Sequence, residues 1–195
     1  MIDTEALAVT RQVTGILDTL GVSYVTGGSL ASIVHGVVRT TMDADIIAEL
    51  QPPHAAALVD ALGERFYTPG EALMRQAIEQ RGSFNLIHLA SMFKVDIFLA
   101  QGRAFDRQQL QRRISEPAGS AAGERVWILS AEDVILAKLE WFRRGDESSE
   151  RQWRDVLGVM KAQGSGLDTA YLTEWARPLG VSDLLERALA EAGAG

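Results

Sequence analysis

The chain contains no cysteine, and this absence removes two classes of structure at once. Without thiols there are no disulfide bonds and no thiolate-ligated metal centres of the zinc-finger kind. The lack suits a protein of the reducing cytosol, because secreted chains of modest size often depend on disulfides.

Long hydrophobic runs are also missing from the sequence. No stretch approaches the roughly 18 consecutive apolar residues that a membrane-spanning helix requires, so no membrane partner is expected. The first residues, MIDTEALAVTRQV, carry acids early and lack the positive start of a secretory signal. We therefore expect a cytoplasmic location.

Positive charge is in deficit, since 19 lysines and arginines against 26 aspartates and glutamates give a net charge of −7. Nonspecific nucleic-acid binders gain affinity by neutralising phosphates with basic residues. The charge balance therefore argues against broad nucleic-acid binding but leaves a local basic surface open. Two arginine-containing segments, Arg103–Arg113 and Arg143–Arg154, qualify for such a surface, and acidic residues dilute the second.

What remains is the composition of an ordinary folded protein. The 195 residues are 47% hydrophobic and 23% charged. This length fits one domain, or a core with a helical appendage, and it is enough to bury a sizeable core.

The most informative stretch begins at Tyr24 with a short β-branched and aromatic run. It breaks at Gly27-Gly28-Ser29 and resumes as an apolar, helical segment over Leu30–Val34. Two glycines let the backbone approach a ligand closely, and the N–H groups at the helix start, with the Ser29 hydroxyl, can receive phosphate oxygens. The turn therefore predicts a cradle for a triphosphate, with Gly28 and Ser29 as nucleotide-binding residues.

A second strand-like run, Asp43–Ala48, opens on two carboxylates. Successive side chains of a strand point to opposite faces, so Asp43 and Asp45 project the same way. Two carboxylates on one face repel each other unless a cation lies between them, and hard oxygen ligands suit Mg²⁺ bound together with substrate phosphates. The pair predicts a Mg²⁺ site.

A third carboxylate, Asp96, lies in the strand-like run Phe93–Leu99. Alternation places Lys94, Asp96 and Phe98 on one face of that run. An unpaired buried carboxylate is costly and needs a metal, a cation or water. If this strand lies beside the strand of Asp43, the three aspartates form one cluster of metal ligands.

These motifs resemble those of the nucleotidyltransferase superfamily that shares the DNA polymerase β palm. The shared pattern is Gly28-Ser29, thirteen residues, Asp43-Ala44-Asp45, and then Asp96 in a later strand. Within that superfamily, Arg39-Thr40-Thr41-x-Asp-x-Asp and Lys94-Val95-Asp96 look most like the AbiEii/MenT-type toxin nucleotidyltransferases. The resemblance covers roughly residues 20–160.

The resemblance implies an α/β (α+β) fold with two parts. Residues 1–129 would form a polymerase-β-like nucleotidyltransferase core with a short mixed sheet. Residues 130–195 would form a C-terminal helical bundle and one wall of the cleft.

The resemblance also implies further site residues, because a lysine and an aspartate lie on later helices in those relatives. Lys138 and Asp155 are the matching positions, with Lys138 catalytic and Asp155 nucleotide-binding beside Arg39. Each has a simpler interpretation. Lys138 would be a lysine whose stem packs on the core while its ammonium reaches solvent, Asp155 part of a solvated helix face, and Arg39 a salt-bridge partner of Asp43 or Asp45.

The implied reaction is Mg²⁺-dependent transfer of a nucleoside monophosphate from a nucleoside triphosphate to a hydroxyl. Asp43 and Asp45 would hold Mg²⁺, and Asp96 would bind the metal nearest the nucleophile. The acceptor would be an RNA or tRNA 3′ end or a protein, with a cognate antitoxin as partner if the chain is a toxin. A small-molecule acceptor, as in antibiotic adenylylation, a hydrolase using water and a catalytically weak partner module stay open.

The remaining pattern predicts further helices and strands around this stretch. Helices are predicted at 4–20, 54–65, 71–80, 130–144, 149–163, 168–176 and 182–192, and strands at 84–89, 93–99 and 126–129. The spacing of the first two of these strands predicts an antiparallel hairpin. The segment Gln101–Arg113 is polar, Pro117–Gly123 is a predicted loop, and Trp141, Trp153 and Trp175 are expected in the core.

Overall fold

The computed structural model describes residues 4–117 and 125–193. The predicted loop at 117–123 lies outside these residues from position 118 onward. Within the described ranges the chain forms seven β-strands and nine α-helices. None of those helices has the length and apolar character needed to cross a membrane.

The elements follow the chain in this order. The strands are β1 (Tyr24–Thr26), β2 (Asp43–Ala48), β3 (Phe66–Tyr67), β4 (Ser83–His88), β5 (Phe93–Leu99), β6 (Ile114–Pro117) and β7 (Arg125–Ile128). The helices are α1 (Thr4–Thr19), α2 (Gly28–Val34), α3 (His54–Leu62), α4 (Glu71–Glu79), α5 (Ala104–Arg112), α6 (Ala131–Arg144), α7 (Glu150–Gln163), α8 (Thr169–Leu179) and α9 (Ser182–Ala192).

The chain divides into two compact units. The first comprises Met1–Leu30 and Thr40–Ile128 and contains the sheet. The second comprises Ala31–Arg39 and Leu129–Gly195 and contains α6 to α9. The short segment approaches α7 closely within the second unit, since a Cβ added at Gly36 would lie 2.4 Å from the Cβ of Ala162.

The first unit is built on one mixed sheet with the strand order β3-β4-β5-β2-β1-β7-β6. At its centre β2 and β5 pair in parallel, while β4 and β5 form the predicted antiparallel hairpin. Parallel neighbours require a long crossover, and α3, α4 and the hairpin supply it between β2 and β5. The expected mixed α/β architecture is confirmed.

The two faces of the central strands differ in burial. On β2 the even positions Ala44, Ile46 and Ala48 are fully buried, and on β5 Val95 and Ile97 are fully buried as well. Helix α1 contacts β2, β5 and β7, and it buries its own apolar stripe in doing so. Each fully buried valine or isoleucine side chain of this layer contributes about 1.5–3 kcal/mol. The odd positions of β2, which carry the carboxylates, lie on the opposite, more exposed face.

Three details of the fold differ from the expectations. Helix α5 forms in the polar segment, where Asp106 accepts a hydrogen bond from the backbone N–H of Arg103 at 3.2 Å. The stretch Gly164–Gly166, whose glycine-rich sequence is typical of a linker, forms a 3₁₀ turn. Trp141 is 50% exposed, so its expected place in the core is wrong, whereas Trp153 is buried as expected.

Tyr24 on β1 gives the fold a specific alkaline sensitivity. Burial is the main cause that raises the pKa of this phenol from 10.0 to about 12, and its hydroxyl donates to Asp18 Oδ2 at 3.2 Å. The protonated phenol's contribution is complete below pH 10 and is lost as the pH rises to 12, because only the unfolded chain ionises readily in that interval. We expect the free energy of unfolding to fall by about 2–3 kcal/mol across it.

The measurement is urea unfolding at pH 9 and pH 11.5 for the wild type and Tyr24→Phe. The variant should lose that part of the pH dependence, whereas Tyr67→Phe, at an exposed tyrosine of β3, should keep it. An unchanged pH dependence in Tyr24→Phe would contradict the assignment.

Candidate active site

The three predicted carboxylates lie on one face of two adjacent strands. β2 and β5 run parallel in a register that pairs Asp45 with Asp96 and Asp43 with Lys94. Neighbouring strands are about 4.8 Å apart, so the side chains of paired residues on the same face are close neighbours. We call Asp43, Asp45 and Asp96 together the carboxylate face.

The Gly-Gly turn is seated directly against this face. The backbone N–H of Gly27 donates to the carbonyl of Asp45 at 2.8 Å, so the turn is tied to β2. Gly28 has a φ of +57°, and a Cβ added there would lie 1.7 Å from Asp45 Oδ2. Only glycine fits between the helix start and that carboxylate. Ser29 is buried, and its contact with phosphate stays a prediction.

Lys94 provides a positive charge at the carboxylate face. Its Nζ lies 2.7 Å from Asp96 Oδ2, with side-chain exposures of 42% for Lys94 and 20% for Asp96. The hydrogen bond to Asp96 is the largest cause that raises the Lys94 pKa, and the negative charges of Asp96, Asp43 and Asp45 add to it. The ammonium therefore stands where a cation is needed. The alternation of β5 predicted that Lys94 lies on this face. It did not predict the role of the Lys94 ammonium.

Thr41 orients one of the carboxylates. Its hydroxyl donates to Asp43 Oδ1 at 2.8 Å and lies 3.1 Å from the carbonyl oxygen of the same residue. The contact fixes the Asp43 side chain at the start of β2. The sequence analysis identified Thr41 as part of a family motif but did not predict that its hydroxyl orients Asp43.

The donor chemistry of the carboxylate face fits Mg²⁺, which prefers carboxylate oxygens together with substrate phosphates. Within residues 4–117 and 125–193, however, no three His, Asp or Glu side chains are drawn together as a finished metal cluster. Lys94 holds Asp96 instead. A cation that binds all three carboxylates has to take Asp96 from Lys94, and the assignment of these ligands stays a prediction.

Removing the ammonium is therefore expected to strengthen metal binding. Lys94→Met should raise the affinity for Mg²⁺ about fivefold, because a partly exposed ion pair contributes up to about 1 kcal/mol that the metal no longer displaces. Calorimetric titration of Mg²⁺ into the protein without nucleotide measures this. Lys161→Met, at an exposed lysine of α7, is the matched control. An affinity that stays constant or falls in Lys94→Met would show that the ammonium does not compete with the metal.

The second unit holds a separate buried ion network of Arg39, Lys138 and Asp155. Lys138 Nζ lies 2.9 Å from Asp155 Oδ2, and Arg39 Nη1 lies 3.3 Å from the same oxygen. Lys138 also donates to Gln152 Oε1 at 3.0 Å. The exposed fractions of the Lys138 and Asp155 side chains are only 7% and 4%. Two cations share one carboxylate, so the three side chains sum to one positive charge.

This network corrects the simpler interpretations of its members. Lys138 is buried rather than reaching for solvent, and Asp155 is not on a solvated helix face. Arg39 contacts Asp155, 116 residues away, a partner that the sequence analysis did not name. No local pattern reveals such a contact. The catalytic role of Lys138 and the nucleotide-binding roles of Arg39 and Asp155 stay predictions.

Solved structures share this architecture. A nucleotidyltransferase-like antigenic protein from Paracoccidioides brasiliensis is 17% identical, with 97% of this chain and 94% of that chain covered and a TM-score of 0.57. The antibiotic-resistance factor ANT(2″)-Ia in solution is 15% identical over 90% of this chain and 96% of its own, with a TM-score of 0.53. The chain has the nucleotidyltransferase fold.

This chain also matches a crystal structure of ANT(2″)-Ia in complex with adenylyl-2″-tobramycin. That match has 12% identity, 88% and 97% coverage of the two chains and a TM-score of 0.52. No protein-family model matches the sequence, and no curated protein matches it significantly. Identities this low establish the nucleotidyltransferase fold alone, so the activity has to be argued from the site.

Proposed function

We propose that the protein is a Mg²⁺-dependent nucleotidyltransferase that transfers a nucleoside monophosphate from a nucleoside triphosphate to a hydroxyl acceptor. One observation carries this proposal. The strand register pairs Asp45 with Asp96, keeps Asp43 on the same face, and seats the Gly27–Gly28 turn against Asp45. Acidic ligands and a turn that admits a ligand's phosphates are what this reaction requires.

In the proposed reaction the acceptor oxygen bonds to the α-phosphorus while the bond from that phosphorus to the bridging oxygen breaks, and pyrophosphate leaves. Asp43, Asp45 and Asp96 would hold Mg²⁺, which when bound offsets the charge on the phosphates. Asp96 accepts the hydroxyl proton of the acceptor. Thr41 keeps Asp43 oriented throughout.

The chain's remaining candidates serve the triphosphate. The backbone at Gly28 and the Ser29 hydroxyl are proposed to bind the β- and γ-phosphates. Arg39 and Lys138 are proposed to offset the charge that develops on the leaving pyrophosphate. The contact of Asp155 with both cations supports a positioning role for this carboxylate rather than direct contact with a nucleotide.

The proposal has several variants, which differ in the acceptor that receives the nucleoside monophosphate. The resemblance to AbiEii/MenT-type enzymes supports an RNA or tRNA 3′ end or a protein hydroxyl, a toxin role and a cognate antitoxin. A small-molecule acceptor is supported by the fold shared with ANT(2″)-Ia, whose complex contains adenylyl-2″-tobramycin. The presence of all three carboxylates disfavours the partner module, since a degenerate site is expected to lose one.

The test is incubation of the wild type and Asp43→Asn with Mg²⁺ and each α-³²P-labelled nucleoside triphosphate. Total RNA, total protein and a small-molecule extract serve as separate acceptors. A labelled product that requires both Mg²⁺ and Asp43 is the expected result and names the acceptor class. Release of nucleotide without any labelled acceptor would support the hydrolase instead. Absence of product together with absent triphosphate binding by calorimetry would overturn the proposal in favour of the partner module.

A further inference from the structure

We propose that a pocket beside Asp96 binds the acceptor, and that the acceptor presents an uncharged, hydroxyl-rich group such as a sugar ring. This inference rests on the proposed function and names the chemical class of its second substrate. The pocket lies between α4 and β4 in the first unit and has a volume of about 420 Å³. That volume is within the range of small-ligand sites.

One face of α4 and the exposed face of β4 line this acceptor pocket. Leu73, Gln76 and Gln80 recur at helical spacing along α4, so their side chains lie on one side of the helix. The opposite side of α4, with Met74 and Ile78, is buried in the core. Packing against the core therefore fixes the position of the lining residues of α4 when no ligand is bound.

The acceptor pocket is continuous with the carboxylate face through the strand register. Asn85 on β4 pairs with Asp96 on β5, and Asp96 pairs in turn with Asp45 on β2. The three side chains form a row across the sheet, with Asp96 in the middle. A hydroxyl in the pocket approaches Asp96 from the β4 side, while the Gly28 turn lies on the β2 side. Asp96 thus stands between the place for the acceptor and the place for the triphosphate.

The polar groups of the acceptor pocket determine what it can bind. Gln76, Gln80 and Asn85 contribute amides and Ser83 a hydroxyl, all of which both donate and accept hydrogen bonds. Among the described residues that line the pocket, Asp96 is the one ionisable side chain. Amides and hydroxyls in this arrangement suit the hydroxyls of a neutral ligand.

Charged acceptors fit the acceptor pocket less well. A phosphate group or a nucleic-acid backbone calls for arginine or lysine, and none lies among the lining residues that the structure describes. A polycation would call for several carboxylates, whereas the lining offers Asp96, which already holds Lys94 at 2.7 Å. Leu73 is 58% exposed and supplies an apolar contact for the C–H groups of a ring. A free sugar and the terminal ribose of an RNA share this chemistry.

The absence of native cysteine allows a clean test of the acceptor pocket. A single cysteine at Gln76→Cys is modified with a benzyl methanethiosulfonate reagent, which fills the pocket. Gln111→Cys, at an exposed glutamine of α5 outside the pocket, receives the same reagent as the matched control. Saturation-transfer NMR then measures binding of ribose, glucose and adenosine as neutral probes, with AMP and glucosamine as charged comparators.

We expect the neutral probes to bind, and the reagent to abolish their binding in Gln76→Cys but not in Gln111→Cys. Asn85→Ala should weaken binding of the same probes about tenfold, as expected for the loss of one or two hydrogen bonds. Neutral probes that still bind after the pocket is filled would overturn the inference, and so would AMP binding as well as adenosine or glucosamine binding as well as glucose. Adenosine binding combined with competition by a short RNA carrying a free 3′ end would identify a terminal ribose, and competition by free sugars alone a small molecule.

A second measurement separates this inference from the proposed function. Calorimetric binding of a Mg²⁺-triphosphate complex should persist when the pocket of Gln76→Cys is filled and disappear in Asp43→Asn. If the wild type does not bind the Mg²⁺-triphosphate complex, the proposed function is overturned, and binding of the sugar probes still tests the acceptor pocket. Intact triphosphate binding without sugar binding would overturn the acceptor pocket alone.

Discussion

Asp45→Asn is expected to lower Mg²⁺-dependent nucleotidyl transfer about a thousandfold, because the loss of one charged metal ligand removes several kcal/mol of transition-state stabilisation. Asp45 lies between the other parts of the proposed site: it is paired with Asp96 in the strand register, and its carboxylate lies against the Gly28 turn. Asparagine keeps the shape of the side chain. The variant should therefore fold normally, and its melting temperature without metal should stay close to that of the wild type, because the repulsion among the carboxylates and the attraction between Asp45 and Lys94 are both reduced.

The measurement combines single-turnover transfer of labelled nucleotide with melting temperatures at zero and saturating Mg²⁺. We expect the metal-induced rise in melting temperature to vanish with the activity. Asp60→Asn, at an exposed aspartate of α3, is the control and should leave both unchanged. Transfer by Asp45→Asn within about tenfold of the wild-type rate, a difference of roughly 1.4 kcal/mol, would remove Asp45 from the site.

Asp155→Ala is expected to cost about 3–5 kcal/mol of unfolding free energy, the cost of leaving a buried ion without its partner. The Asp155 side chain is 4% exposed and lies within 3.3 Å of both Lys138 and Arg39. Removing it takes the carboxylate partner from the Lys138 ammonium, whose side chain is 7% exposed. Equilibrium urea unfolding provides the measurement. Asp183→Ala, which breaks the exposed ion pair with Arg143 on the same unit, should have little effect.

A second substitution distinguishes structure from catalysis in this network. Lys138→Met in the Asp155→Ala background removes the ammonium that lost its carboxylate partner, so a large part of the lost stability should return. Nucleotidyl transfer should stay low if Lys138 acts on the triphosphate. Recovery of both stability and transfer in the double variant would make Lys138 a structural lysine. A double variant no more stable than Asp155→Ala would show that the ion pair is not the source of the loss.

The sequence alone predicted that Asp43 and Asp45 share a face because that information is local, whereas joining Asp96 to them required β5 to lie beside β2, as the strand register shows. A strand alternates with a period of two, so Asp43 and Asp45 share a face wherever β2 lies in the sheet. The same period placed Lys94 with Asp96. The hairpin of β4 and β5 followed from the short connection between two strand-like runs, and the Gly-Gly-Ser turn from its glycines.

Other parts of the site depend on contacts that no local pattern encodes. Arg39 and Asp155 meet across 116 positions of sequence, and either residue alone resembles a surface charge. The acceptor pocket needs α4 to lie against β4, and glutamine or asparagine in such segments is ordinary on any surface. Helix α5 was missed because its sequence is polar. The helix buries only a small side, and the hydrogen bond that Asp106 accepts from the backbone N–H of Arg103 compensates for this.

The Lys94–Asp96 contact also bears on the protein at rest. The Lys94 ammonium offsets part of the repulsion among the three carboxylates when no metal is bound. Under the proposed function, depletion of Mg²⁺ should therefore leave a folded but inactive protein, and activity should return when Mg²⁺ and a nucleotide are both supplied. In a cell, the activity of such a protein would depend on the supply of Mg²⁺ and nucleotide rather than on unfolding and resynthesis.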